Sequence, residues 1–171
     1  MQKRGMKSDP VIRPATEADL AAIHAIHNRA IEETAATWLW EPILLPARQD
    51  WFAAQRQADR PVLVAELDGK VVGWASYGPF RPYHGYRDTM EHSVYLDAAA
   101  HRRGLGRALM GRLLEAAKQR GVHVMVAAIA LPNEASVGLH RALGFTQVGV
   151  MPEVGLKFGR YRDLCLMQTL L

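Results

Sequence analysis

Cysteine is almost missing from the sequence, which limits how the fold can be stabilised. The 171 residues include one cysteine, Cys165, so an intramolecular disulfide is excluded. Cys165 stands in an apolar C-terminal stretch, which favours a buried thiol over a nucleophile. A chain of this length can bury a sufficient core without disulfides or metal ions. We expect a flexible, solvated tail over residues 1–9 and a single domain over residues 10–171.

Long hydrophobic runs and dense basic tracts are missing as well. No apolar segment could span a bilayer, and residues 1–9 lack the hydrophobic stretch of a signal peptide, so we expect a cytoplasmic protein without a membrane partner. Basic residues outnumber acidic ones by 21 to 17. They are scattered apart from His101–Arg107 and Lys157–Arg162, and no recognition motif accompanies them, so we expect no nucleic-acid partner. His24 and His27 have no metal-ligand partner at a suitable spacing, and we expect no metal.

The segment His101-Arg-Arg-Gly-Leu-Gly-Arg107 carries the clearest chemical signal. Before it, Met90–Leu96 alternates apolar and polar residues in the manner of a half-buried strand. After it, apolar residues recur at helical spacing from Leu105 to Ala116. The predicted order is strand, glycine-containing basic turn, helix. The unpaired amides of the first helical turn would then attract an anion.

Several kinds of turn bind phosphate, and the residues distinguish among them. A nucleotide triphosphate loop needs Lys followed by Ser or Thr after its second glycine, where this chain has Arg107-Ala108. A dinucleotide-binding turn needs a third glycine where Leu109 stands. The segment His101–Gly106 resembles the Gln/Arg-x-x-Gly-x-Gly/Ala turn of acyl-CoA-dependent N-acetyltransferases, with His in the first position. A basic helix cap that binds no ligand is the alternative.

The other segments predict an alternation of strands and helices. Asp68-Gly69 joins two apolar runs and predicts a tight hairpin. The nearly continuous apolar run Val122–Ala130 predicts a strand covered on both faces. A helix over 134–143, capped by Asn133, follows. Two last strands are expected over 145–150 and 164–170, with Lys157-Phe-Gly-Arg160 in their connection.

Two aromatic-rich connections are candidates for the walls of a binding site. The connection from Glu32 to Pro46 contains Trp38 and Trp40, which either line a pocket or anchor the loop in the core. The connection from Gly78 to Thr89 is dense in Tyr, His and Arg. It leads into the strand that carries Glu91, a placement typical of binding loops.

The order of elements resembles the GCN5-related N-acetyltransferase fold over residues 11–170. Five segments resemble the bacterial phosphinothricin and methionine sulfoximine N-acetyltransferases more closely. They are Glu91–Leu96, His101–Leu109, Pro132–His140, Leu143–Phe145 and Val154–Arg160. The resemblance implies an α/β (α+β) fold with a mixed, mostly antiparallel sheet of about six to seven strands, four flanking helices and a splayed central strand pair. It also implies a homodimer.

The resemblance implies acetyl-CoA as the co-substrate and assigns residues to it. The backbone of Val94, Tyr95 and Leu96 would pair with the pantetheine arm as another strand does. The pyrophosphate would be held by the turn residues Arg102, Arg103, Gly104, Leu105, Gly106 and Arg107. Asn133 would bind near the thiol end of the cofactor, with Ser136 assisting.

The acceptor side is assigned in the same way. Arg81, followed by His84, Gly85 and Tyr86, matches the acceptor-binding loop, in which Arg81 would bind the carboxylate of an amino acid. The Trp38 loop would face the acceptor's side chain. Glu91 matches the proposed general base, and His140 occupies the helix position where many relatives carry a tyrosine as the acid. The identity of the acid therefore stays open.

The residues themselves give Glu91 a weaker, independent argument. An amino acid's ammonium must lose a proton before it attacks a thioester, and a partly desolvated carboxylate on a central strand can relay that proton through water. Alternatively, Glu91 only pairs with a neighbouring Arg or His. His92 alternates to the opposite face of the strand, which favours a structural role.

The leading hypothesis is an enzyme that transfers acetyl from acetyl-CoA to a small α-amino acid or toxic analogue by direct attack. One alternative keeps the fold and changes the acceptor to a protein N-terminus, a polyamine or an aminoglycoside. Polycationic acceptors would require an acidic pocket, against which the Arg81 loop argues. The other alternative is a non-catalytic acyl-CoA-binding regulator, against which the presence of Glu91 counts.

Overall fold

Seven strands form one mixed sheet with helices on both faces in the computed structural model, which describes residues 10–171. The predicted tail, residues 1–9, lies outside the described residues. The strands are β1 Val11–Pro14, β2 Val62–Leu67, β3 Lys70–Pro79, β4 Thr89–Leu96, β5 Val124–Ala130, β6 Thr146–Lys157 and β7 Arg160–Leu170. The helices are α1 Leu20–Glu33, α2 Leu45–Gln57, α3 Leu105–Gln119 and α4 Glu134–Ala142.

The strand order is β1-β2-β3-β4-β5-β7-β6. Every neighbouring pair is antiparallel except β4 and β5, which run parallel over a short stretch. The sheet and its four helices confirm the predicted fold class. The single parallel pair lies in the middle of the sheet and is the splayed pair that the resemblance implied.

Local signals set several of these elements. Asp68 and Gly69 have φ angles of 51° and 74° in the two-residue turn between β2 and β3, as a primed hairpin turn requires. Asp19 closes a capping box with Thr16 ahead of α1, because its carboxylate accepts from the Thr16 backbone at 2.8 Å. The hairpin predicted at Asp68-Gly69 is confirmed.

The last hairpin is longer than the sequence predicts. Strand β6 continues to Lys157 and β7 begins at Arg160, so Phe158 and Gly159, with φ angles of 51° and 68°, form a tight turn between two long strands. The outer part was missed because the register shifts between Met151 and Gly155 and most of β6 is exposed. An alternation of buried and exposed residues is therefore absent from this stretch.

The sheet separates two parts of the core. On one face, α3 packs Leu105, Leu109 and Leu113 against the central strands, and Ala117 rather than the half-buried Ala116 completes the stripe. On the other face, α1 and α2 pack against Trp74 and its neighbours. Cys165 lies in the first cluster and is buried, as predicted. No helix in the described range 10–171 is long and apolar enough to cross a membrane.

Candidate active site

The central feature is a cleft where β4 and β5 diverge. Strand β4 pairs with β3 from Met90 to Leu96 but with β5 only from Thr89 to Glu91. Beyond Glu91, the edge of β4 that faces β5 borders a cavity of about 340 Å³. Residues of α1, β4, β5 and α4 line this cavity. An unpaired strand edge beside a cavity can take an extended ligand by strand-like hydrogen bonding.

The turn 101–107 stands at one end of this cleft, between β4 and α3. Gly104 has a φ of 74° and is the N-cap of α3. The left-handed backbone conformation requires glycine at this position. A Cβ at Gly104 would meet nothing within 4 Å, so the space around it is open. Gly106 packs closely instead, with Leu96 and Leu139 atoms 3.4 Å from the position of a Cβ.

The charges of this turn are available to a ligand. Arg102, Arg103 and Arg107 are exposed, and none of them forms an ion pair with another residue in the range 10–171. The first turn of α3 carries no acidic residue. Open space, unpaired helical amides and three free guanidinium groups together suit a pyrophosphate.

Helix α4 supplies the opposite wall of the cleft. Asn133 is its N-cap and accepts from the Ser136 amide at 3.1 Å, which leaves the Asn133 amide nitrogen free to donate. Both side chains line the cavity. His140 lies one turn after Ser136 and is 1% exposed.

His140 contacts His92 directly. The Nδ1–H of His140 donates to the Ser136 carbonyl at 2.6 Å, so its Nε2 accepts from His92 Nε2 at 2.9 Å. Burial lowers the pKa of both rings, that of His92 to about 3; His140 lowers the pKa of His92 further, whereas the hydrogen bond to Ser136 opposes the shift of His140. Both histidines are therefore neutral at pH 7. His92, which the sequence assigned to a structural role, lines the cleft together with His140.

Glu91 lies where the two strands separate. Its side chain is half-buried and lines cavities on both sides of this point. Burial raises the pKa of the Glu91 carboxyl, and the positive charge of Arg81 opposes this shift. A carboxylate in this setting holds a proton more readily than one in water, which suits a general base.

The Arg81 loop lies outside the cleft. Arg81, His84, Gly85 and Tyr86 are exposed and line neither of the cavities beside Glu91. The Arg81 guanidinium stacks on the Phe80 ring at 4.4 Å and donates to the Phe80 carbonyl at 3.2 Å. The loop leaves β3 at Pro79, which pairs with Met90, so it begins directly beside Glu91. The loop therefore stands at the mouth of the site.

The Trp38 loop is fixed by the outer end of β6. Trp38 lines the cavity and packs on Gly155, where a Cβ would come within 2.2 Å of the indole ring. Trp40 is 65% exposed, and its indole nitrogen donates to the Leu156 carbonyl at 3.0 Å. The two tryptophans thus differ, because Trp38 is a pocket wall and Trp40 is an anchor.

Lys157 also holds the Trp38 loop against β6, a role that the sequence analysis did not predict. Its side chain is 1% exposed, and Nζ donates to the carbonyl of Ile31 at 2.7 Å and to that of Leu39. It thereby ties the end of α1 and the tryptophan loop to β6. The sequence placed Lys157 in an exposed connection because the partners lie more than one hundred residues away.

Within residues 10–171, no group of three or more His, Cys, Asp or Glu side chains is placed to hold a metal ion. The polar side chains of the cleft instead form pairs, such as His92 with His140 and Asn133 with the Ser136 amide.

Comparison with known proteins agrees with this geometry. The model of the acetyltransferase (GNAT) family matches residues 23–145. An L-methionine sulfoximine/L-methionine sulfone acetyltransferase of Pseudomonas paraeruginosa is 51% identical and covers 92% of each chain. An L-amino acid N-acyltransferase of Escherichia coli is 48% identical over 92% of this chain and 91% of its own. A phosphinothricin acetyltransferase of Sinorhizobium meliloti, solved in complex with acetyl-CoA, superposes with a TM-score of 0.93 at 33% identity, over 96% of this chain and 89% of its own.

Proposed function

Since the chain belongs to the acetyltransferase (GNAT) family and is an acetyltransferase that uses acetyl-CoA, we propose that it acetylates the α-amino group of a small amino acid or toxic analogue. Analogues of the phosphinothricin, methionine sulfoximine and methionine sulfone type are the proposed class. The observation that carries the proposal is Glu91, a half-buried carboxylate with a raised pKa at the opening of the strand pair. The names of the similar enzymes support the same acceptor class.

On the donor side, the turn residues 102–107 hold the pyrophosphate through helical amides and guanidinium groups. The free backbone edge of Val94, Tyr95 and Leu96 pairs with the pantetheine arm. Asn133 donates near the thiol end, with Ser136 beside it. Acetyl-CoA supplies an activated acetyl group as its thioester. A strand amide, that of Leu96 or a neighbour, polarises the thioester carbonyl.

Glu91 acts as the general base. The acceptor arrives as an ammonium ion, which cannot attack until it loses a proton. Glu91 takes this proton through a water molecule, and its raised pKa increases its affinity for the proton. The freed amine attacks the thioester carbonyl carbon directly, because holding it beside the carbonyl already supplies the advantage of proximity. The C–S bond breaks, CoA leaves as the thiolate, and the proton that the new amide nitrogen loses balances the one that the thiolate takes up.

His140 is a candidate for the acid that protonates the departing thiolate, but it cannot deliver a proton to the thiolate directly. Both of its ring nitrogens are engaged, one with the Ser136 carbonyl and the other with His92. Its buried, neutral ring lines the cleft but has no unengaged ring nitrogen to offer a ligand there. We therefore propose that His140 is a positioning residue that orients His92.

The acceptor is bound at the mouth of the cleft. Arg81 binds its α-carboxylate with two parallel hydrogen bonds, and the Phe80 ring supports the flat guanidinium. His84, Gly85 and Tyr86 hold the loop that presents Arg81, and Trp38 forms a wall of the cleft beside the acceptor. The cytoplasmic location that the sequence predicts stays a prediction.

We also propose a homodimer. Strand β6 is the edge of the sheet, and it exposes Val148, Val150, Met151 and Val154. A long, exposed, apolar edge strand is typical of a surface that another chain covers. Sedimentation should give twice the 19.0 kDa of one chain at micromolar concentration, whereas the mass of a single chain would contradict the dimer.

The proposed activity is tested by following release of CoA over a panel of amino acids. Methionine sulfone, methionine sulfoximine, phosphinothricin and the ordinary amino acids form the panel, and polyamines, aminoglycosides and peptides with free N-termini are the contrasting acceptors. We expect turnover with members of the first group and little with the second. Turnover confined to the second group would overturn the proposed acceptor.

A further inference from the structure

Arg48 on α2 is a buried cation without an acidic partner. It is 3% exposed and is the one buried arginine within residues 10–171. Arg13 shows the usual arrangement, because it is paired with Asp19 at 2.7 Å and with Glu66 at 2.8 Å. No carboxylate in the described range forms an ion pair with Arg48. A charge that is buried without a counter-charge is costly, and sites of this kind are commonly functional.

The neighbours of Arg48 leave most of its hydrogen-bonding capacity unused. Its Nη2 donates to His27 Nδ1, and its guanidinium lies 4.7 Å from the Trp51 ring centre and 5.4 Å from that of Trp74. Burial, with a smaller effect of Arg48, lowers the pKa of His27 to about 4, so this partner is neutral at pH 7. Arg48 Nε has no partner in the described range. A guanidinium has five N–H groups.

Arg48 borders a cavity of about 510 Å³ beside the cleft. Trp51, Trp74 and Arg60 also line it, and Glu91 is the one acidic residue in its lining. His27, Glu91 and Ser93 line both this cavity and the cleft, so the two spaces adjoin at the proposed base. Positive groups among aromatic rings suit a ligand that carries oxygen atoms at the end of an apolar stem.

Tyr95 shows how near Arg48 lies to the reaction centre. Burial raises the pKa of Tyr95, the Thr37 hydrogen bond and the charge of Arg48 lower it, and the charge of Glu91 raises it. The geometry agrees, because His27, which accepts from Arg48, lines the same two spaces as Glu91 and packs on the Tyr95 ring at 4.6 Å. An amino acid whose nitrogen is near Glu91 can extend its side chain towards Arg48.

We propose that Arg48 binds the oxygen-bearing end of the acceptor's side chain while Arg81 binds its α-carboxylate. This inference rests on the proposed function and narrows it. The acceptor class becomes α-amino acids whose side chain ends in a group with hydrogen-bond-accepting oxygens, such as a sulfone. A thioether side chain of the same length leaves the remaining N–H groups of the buried guanidinium, Nε–H among them, without an acceptor, and such mismatches strongly reduce turnover.

The test compares L-methionine with L-methionine sulfone, which share the α-carbon groups and the chain length and differ by the two oxygens on sulfur. The wild-type protein should have the higher kcat/KM for the sulfone. Arg48→Met should lower kcat/KM for the sulfone by about 10-fold to 100-fold, the effect of a lost hydrogen bond to a charged group, and that for methionine by less than about threefold.

The matched control is Arg56→Met on the same helix. Arg56 is exposed and pairs at 3.1 Å with an exposed Glu17, an arrangement of little energetic value. It should leave both kcat/KM values unchanged. If Arg48→Met does not fold, as thermal melting would reveal, Arg48→Lys keeps the charge without the planar fork and should still lower the sulfone value several-fold more than the methionine value.

Two results would overturn the assignment of Arg48 alone. One is equal kcat/KM for methionine and its sulfone in the wild-type protein, and the other is an equal loss for both acceptors in the Arg48 variants. Failure of the wild-type protein to acetylate any amino acid in the presence of acetyl-CoA would instead overturn the proposed function, and the role of Arg48 with it.

Discussion

The two ends of the cleft are assembled in different ways. The turn 101–107 is a single continuous segment with exposed arginines, and it borders open space. The other end, here called the acceptor wall, consists of Trp38, Glu91 and Gly155, which are far apart in the chain. Lys157 attaches the Trp38 loop to β6 through hydrogen bonds to two backbone carbonyls. Changes in the turn should therefore alter donor binding while the fold stays intact. Changes in the wall should alter acceptor binding, and some of them should also alter stability.

Glu91 lies between the two ends, and its removal should have the largest effect. Glu91→Gln should reduce kcat at neutral pH by about two to four powers of ten, the usual range for a general base, with acetyl-CoA affinity nearly unchanged. Calorimetry with acetyl-CoA and steady-state rates provide the two measurements. Retention of full turnover at pH 7 and above would make Glu91 a structural residue.

The pH dependence of kcat/KM also tests whether Glu91 is the general base. Burial raises the pKa of Glu91, and a base acts in its deprotonated form, so kcat/KM should rise with pH through a pKa above the ordinary 4.5 of a carboxyl. Glu91→Gln should remove this rise. A rising limb that survives in the variant would assign the titration to another group.

Arg81 tests the acceptor end without disturbing the donor end. Losing its paired hydrogen bonds should cost about 2–4 kcal/mol of transition-state binding, so Arg81→Ala should lower kcat/KM for amino acids by about 30-fold to 1000-fold. The corresponding amino-acid amides, which lack a carboxylate, should be affected much less. Arg81→Lys should restore part of the loss. An equal loss for acids and amides would show that Arg81 does not bind the carboxylate.

Gly104 tests the donor end. Gly104→Glu places a side chain and a negative charge where the pyrophosphate is proposed to lie, so acetyl-CoA affinity should fall at least about tenfold. Gly69→Glu is the control, because Gly69 has the same φ of 74° and equally open surroundings in the distant β2–β3 turn. Both variants carry the same backbone strain and charge. Equal acetyl-CoA affinities in the two would contradict the assignment of the turn.

Substitution of Gly155 should have the smallest effect on the kinetics, and this effect should be the most specific to the acceptor wall. In Gly155→Ala the new methyl group meets the Trp38 ring and displaces it, so the acceptor KM should rise about threefold to tenfold while the acetyl-CoA KM stays constant. Gly149→Ala on the same strand adds its methyl group to open space and is the control. A rise in both KM values would show that the two ends are not independent.

The contrast between the two ends also explains what the sequence could predict. The strand–turn–helix around Gly104 and the Asp68-Gly69 hairpin depend on neighbouring residues, and the backbone of each was predicted. The order of the strands and helices followed from hydrophobic periodicity and the family resemblance.

Other parts depend on contacts between distant segments, and these were missed. Lys157 was placed in the connection between the last two strands, and its burial was not predicted because its carbonyl partners belong to α1 and the tryptophan loop. His92 looked structural because its contact with His140 joins β4 to α4. The outer half of β6 was missed because its exposed, shifted pairing leaves no alternation in the sequence.

Product identification tests the central claim, transfer of acetyl to the α-nitrogen of an amino acid, most directly. The protein would be incubated with ¹³C-acetyl-labelled acetyl-CoA and L-methionine sulfone, and the products followed by NMR and mass spectrometry. The account predicts N-acetyl-L-methionine sulfone and CoA in equal amounts, with the label on the amide carbonyl. Release of CoA with the label in free acetate, or an amino acid left unmodified, would contradict it.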